Sequence, residues 1–70
     1  MAIEKVELPA ARKIAKLTQA QLAKAVGVSV STVYLWEIGK AEPTITQAKA
    51  ICAACGRTID EIIFLPKNTV

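Results

Sequence analysis

Histidine is absent from the 70 residues, cysteine appears twice, aromatic side chains three times and aspartate once. Without histidine the chain lacks the usual general base and the commonest metal ligand, and two cysteines cannot complete a tetrahedral structural zinc site within one chain. Hydrolytic and zinc-finger chemistry are therefore without their usual residues. No apolar run approaches the ~18 residues that span a bilayer. The opening segment Met1-Ala-Ile-Glu-Lys-Val-Glu-Leu-Pro9 mixes both signs of charge and has no continuous apolar core, so it does not read as a secretory signal. A cytoplasmic location is expected, and in that reducing compartment Cys52 and Cys55 stay thiols. A chain this short forms one domain that buries only about 60% of its unfolded surface, which leaves no volume for an enclosed active site. No enzyme activity, cofactor, metal, membrane association or small-molecule ligand is expected.

What is present points to a folded domain with a charge bias. Hydrophobic residues make up 53% of the chain, too many for intrinsic disorder. The formal net charge is only +3, but it is unevenly placed. Residues 8 to 41 hold Arg12, Lys13, Lys16, Lys24 and Lys40 against Glu37 alone, a local net of +4, whereas the stretch from 42 to 70 is balanced. The basic half is where an anionic partner is expected.

Helix boundaries are clearly punctuated. Thr18 stands three residues before Gln21, Thr44 before Gln47 and Thr58 before Glu61, each ahead of an apolar periodic run. In that capping-box pattern a hydroxyl and a carboxamide or carboxylate satisfy free amides at a helix start. Ser29 is a fourth candidate cap. Gly27, Gly39 and Gly56 fall where the runs cease, and glycine there takes the left-handed conformation that closes a helix. The spacing predicts five helices in an all-α fold, over Pro9–Lys16, Gln19–Val26, Val30–Ile38, Ile45–Cys55 and Ile59–Phe64. A core is expected from Leu22, Ala23, Val26, Val33, Trp36, Ala48, Ile51, Cys52 and Cys55, closed below by Ile59, Ile62 and Ile63. Short β-branched runs such as Ile62-Ile63 allow strands, but the caps favour helix.

Only Gly27-Val28-Ser29 separates the second predicted helix from the third. Two short helices joined by a tight glycine-containing turn form a helix-turn-helix, in which the first helix crosses a phosphate backbone and the second enters the major groove. The turn alone is weakly specific, since helical hairpins are common.

The residues around the turn add specificity. Thr18-Gln19, Leu22-Ala23, Gly27-Val28-Ser29, Thr32-Val33, Trp36-Glu37-Ile38-Gly39 and Pro43, followed by Ile51 to Gly56 and Ile59 to Phe64, resemble the Cro/C1-type (XRE-like, lambda-repressor-like) helix-turn-helix family. The resemblance runs from about Leu8 to Phe64. It implies a compact five-helix DNA-binding domain spanning 1–70, with a core of about 8–64, that regulates transcription as a homodimer on a roughly palindromic site in double-stranded DNA.

Residue by residue, the resemblance puts base contacts on Val30, Ser31, Tyr34 and Leu35. It puts phosphate contacts on Gln19, Lys16, Lys24, Thr32 and Lys40, and pairs Arg12 with Glu37 as a structural ion pair. A dimer interface is expected at Ile63, Phe64 and Leu65, whose apolar groups exceed what a small base needs. Two departures stand out. The turn before Leu17 carries Lys16 where relatives have Gly or Asn, which is expected to disturb the end of the first helix. The reading face also lacks Arg, Lys, Asn and Gln, the side chains that make bidentate base contacts. Specificity is then expected to rest on thymine methyl contacts and DNA shape. The same exposed apolar row supports an alternative, a protein-protein interaction module.

Overall fold

The computed structural model describes residues 5–64. A two-residue strand β1 (Val6–Glu7) leads into four α-helices: α1 (Leu8–Ile14), α2 (Gln19–Val26), α3 (Val30–Glu37) and α4 (Ile45–Cys55). A 3-10 turn over Ile59–Glu61 and a second strand β2 (Ile62–Ile63) follow. The strands pair in parallel, with Val6 opposite Ile62 and Glu7 opposite Ile63.

The sharpest boundaries lie where the caps are. Thr18 Oγ1 accepts from the Gln21 amide at 3.0 Å while Gln21 Oε1 accepts from the Thr18 amide at 2.8 Å, so α2 begins where its capping box predicts. Thr44 and Gln47 repeat this at α4, at 3.1 and 2.8 Å. Ser29 Oγ accepts from the Thr32 amide at 3.2 Å and starts α3. Each such cap contributes roughly 1 kcal/mol.

All four helices close the same way, with a left-handed residue and a backbone bond reaching back five positions. The left-handed residues are Gly27, Gly39 and Gly56 after α2, α3 and α4, but Lys16 with φ 63° after α1. The Leu17 amide donates to the Arg12 carbonyl at 3.1 Å and the Lys16 amide to the Lys13 carbonyl at 2.9 Å, completing a Schellman turn. Lysine thus occupies a conformation that disfavours its Cβ by about 1 kcal/mol. The first helix accordingly ends at Ile14 rather than Lys16.

The expected fifth helix is absent. Thr58 and Glu61 still cap a single 3-10 turn, the Thr58 amide donating to Glu61 Oε1 at 2.8 Å. Those hydrogen bonds hold the Glu61 carboxyl below its ordinary pKa. Beyond it the chain extends, because β-branched Ile62 and Ile63 suit a pleated backbone and find partners in Val6 and Glu7. The fold is therefore mostly helical, with four helices, one 3-10 turn and a strand pair among the described residues, rather than five helices alone.

Leu22, Val33 and Ile51 are completely enclosed, and Leu8, Ala11, Ala23, Trp36, Cys52, Cys55 and Ile62 complete the cluster. Helix α2 packs on both α3 and α4, so its buried edge forms the middle of the core. Alternation along β2 leaves Ile62 5% exposed but Ile63 41%, and Ile59 is also exposed, so only Ile62 closes the base as expected. Val26 is half-buried at the rim. Both cysteines are free thiols. Burial raises their pKa values, and they fill volume as small apolar side chains.

Candidate nucleic-acid interface

The second helix of the tight turn is held from one side only. Val33 and Trp36 face inward, and on the opposite side Val30, Tyr34 and Leu35 are 45%, 51% and 39% exposed. Val30, Tyr34 and Ile38 lie four residues apart, so they follow one line along the helix and past its end, with Ser31 and Leu35 on the adjacent line. Exposed large side chains on so short a segment form a surface ridge that the core does not use. Ser31 is exposed as well. Thr32 is half-buried, and its hydroxyl lies 3.0 Å from that of Ser29, which ties it to the start of α3.

The turn is built from few atoms. Gly27 takes φ 88°, and the Gly27 and Val28 amides both donate to the Ala23 carbonyl, at 2.8 and 3.0 Å. Any L side chain at Gly27 meets backbone strain, although a Cβ there touches nothing within 4 Å. The angle between α2 and α3 therefore depends on a single left-handed glycine, Val28 and the Ser29 cap.

Behind the ridge, Arg12 and Glu37 are each 9% exposed. Arg12 Nε donates to Glu37 Oε2 at 2.6 Å and Nη2 to Oε1 at 3.3 Å, a two-point pairing that joins α1 to the end of α3. Its remaining terminal nitrogen, Nη1, donates to the Leu17 carbonyl at 2.8 Å and fastens the turn before α2. Removing one member of such a buried pair costs about 3–5 kcal/mol, because the other charge is stranded.

Gln19, half-buried at the start of α2, donates from Nε2 to Glu37 Oε1 at 2.9 Å. Reading the chain alone did not anticipate this bond. The two residues stand 18 positions apart on different helices, and no local spacing signals their contact. Lys16, Lys24 and Lys40 are exposed, so their ammonium groups are available to an anion. Ile63 is exposed and Phe64 half-buried against the core. Both line a shallow cleft with Leu8, Pro9 and Trp36. Leu65 lies outside the described residues.

Two helices joined by a three-residue turn, with a free ridge on the second, define a helix-turn-helix domain. A family model described as helix-turn-helix matches residues 10–62, and the chain belongs to that Cro/C1-type family of DNA-binding regulators. Among solved structures, the chain is similar to the DNA-binding domain (1–76) of the P22 C2 repressor, determined by nuclear magnetic resonance in solution. The TM-score is 0.73 at 36% identity over 76% of this chain and 70% of that one. It is also similar to the clp gene regulator ClgR from Corynebacterium glutamicum. One ClgR crystal structure matches at TM-score 0.73 and 26% identity over 76% of this chain and 56% of that one, and another at 0.71 and 26% over 76% and 68%. Among curated proteins, none matches the chain in sequence.

Proposed function

We propose that this protein regulates transcription by binding double-stranded DNA as a homodimer, laying α3 in the major groove of each half of a two-fold symmetric site. The observation that carries this is the ridge of Val30, Ser31, Tyr34 and Leu35, exposed on a helix whose other side is anchored by Val33 and Trp36. A ridge one helix wide suits a groove about 12 Å across. Ser31 bonds either class of base edge, and the Tyr34 hydroxyl bonds a base or a phosphate. Val30 and Leu35 contact thymine methyl groups. Gln19, Lys16, Lys24, Thr32 and Lys40 supply phosphate contacts, which set affinity and register without reading sequence.

One half-site holds one α3, so reaching two successive major grooves about 34 Å apart takes two copies of the chain. Exposed Ile63 and half-buried Phe64 supply the apolar surface for that pairing, and Leu65 is assigned to it from its place in the sequence alone. The two-fold arrangement rests on this need for a second helix and on the surplus of apolar groups at that end.

A second reading is favoured by the same ridge: four large apolar groups, Val30, Tyr34, Leu35 and Ile38, are exposed in one region, as on protein-binding surfaces. Salt titration of binding to a labelled random-sequence duplex separates the two. A phosphate-binding chain loses affinity steeply as salt rises, by about 0.9 log unit per log unit of salt for each phosphate neutralised. A protein module shows negligible binding at every salt concentration, and that result would reject the DNA reading.

A further inference from the structure

We propose that Glu37 is a positioning residue for the phosphate contact at the start of α2, acting by fixing which end of the Gln19 carboxamide faces the partner. The proposal rests on the reading in which Gln19 meets a DNA phosphate, and it assigns the residue that makes Gln19 a donor there.

A carboxamide has a donor end and an acceptor end and interconverts them by rotating about its last torsion. At a phosphate, only the donor end binds, so a freely rotating Gln19 presents the wrong end part of the time. Glu37 removes that freedom. Its carboxylate only accepts, so the Nε2 end of Gln19 must face it, as the 2.9 Å bond to Oε1 has it. Nε2 carries two hydrogens, and the bond to Glu37 uses one. The second is left over on the same nitrogen, on a half-buried residue at the start of α2.

The carboxylate is itself held from behind. Arg12 bonds both of its oxygens and, through Nη1, the Leu17 carbonyl two residues before Gln19. The guanidinium also neutralises the carboxylate, so a negative group beside the expected phosphate path does not repel it. One buried pair thus fixes three things together: the end of α3, the turn into α2 and the orientation of the Gln19 amide. Because Glu37 is the last residue of α3, the helix proposed to read bases also sets the phosphate donor.

A double-mutant cycle on the full chain tests this. Replacing both members of the pair in Arg12→Met/Glu37→Met removes the carboxylate without stranding a charge. Gln19→Ala is then introduced into the native chain and into that background. Each protein is checked for folding by circular dichroism, and its affinity for a labelled random-sequence duplex is measured by fluorescence anisotropy. Gln19→Ala is expected to weaken binding by about three- to tenfold in the native chain, the range of one ordinary hydrogen bond. In the paired background the loss is expected to fall below about twofold, because an unheld carboxamide has little left to lose. Equal losses in both backgrounds would overturn the positioning role while leaving the Gln19 contact standing. No loss in the native chain would overturn the contact and the positioning role together. Should Arg12→Met/Glu37→Met not fold, Arg12→Met/Glu37→Gln supplies the background instead, since a carboxamide at position 37 pairs with either end of Gln19 and no charge is stranded, and the same comparison decides.

Discussion

Lys16 is where local sequence and backbone disagree most plainly. The Schellman closure of α1 requires a left-handed residue, which a lysine takes at φ 63°. Its side chain is exposed and therefore free to serve an anion. Those two facts make Lys16→Gly informative in both directions. Relief of the left-handed conformation is expected to stabilise the fold by about 1 kcal/mol, read as a higher urea midpoint with an unchanged slope. If Lys16 neutralises a phosphate, the same change lowers the salt-dependence slope of duplex binding by about 1. A variant that is more stable yet keeps the full slope would remove Lys16 from the phosphate contacts. Reading the residue order alone finds Lys16 as a departure from its relatives, and the dihedral angle gives the physical reason. The Gln19–Glu37 bond had no such trace, since only tertiary packing brings the start of α2 against the end of α3.

At the scale of elements, local chemistry decided what was legible. The starts of α2 and α4 follow from Thr18–Gln21 and Thr44–Gln47 and their ends from Gly27 and Gly56, all local features that need nothing distant. The end of the chain is different. Thr58 and Glu61 start a turn as their spacing predicts, but whether Ile62 and Ile63 continue it depends on Val6 and Glu7, more than fifty positions earlier. A parallel strand pair is set by that non-local partner, and the β-branched residues were the one local hint of it. For α3 the decisive property is what its free ridge reads. With no side chain capable of bidentate base contact, the proposed reading assigns discrimination to Val30 and Leu35 through thymine methyls. Val30→Ala with Leu35→Ala is expected to reduce the preference for A·T-bearing over G·C-substituted half-sites by about 1 kcal/mol, the low end of what one base pair contributes. Competition binding measures it, and an unchanged preference would place readout elsewhere, in DNA shape or in Tyr34.

For the molecule as a whole, the charge excess lies with the apolar ridge of α3, while a second apolar surface lies elsewhere. The +4 excess of residues 8 to 41 surrounds the helix-turn-helix, and the exposed apolar residue Ile63, with half-buried Phe64, lies at the end of the described chain. Binding on one side and self-association on another is the arrangement a two-fold symmetric regulator needs. Phe64→Glu is expected to halve the sedimenting mass if this end joins two copies, with helix content retained. Unchanged mass in a folded variant would remove Ile63 and Phe64 from the interface. The central claim is that α3 reads DNA, and selection of bound sequences from a random duplex pool tests it most directly. The expected result is enrichment of two inverted half-sites whose centres lie about one helical turn apart, rich in thymine-bearing steps. A pool that emerges unenriched, from a protein that remains folded throughout, would contradict it.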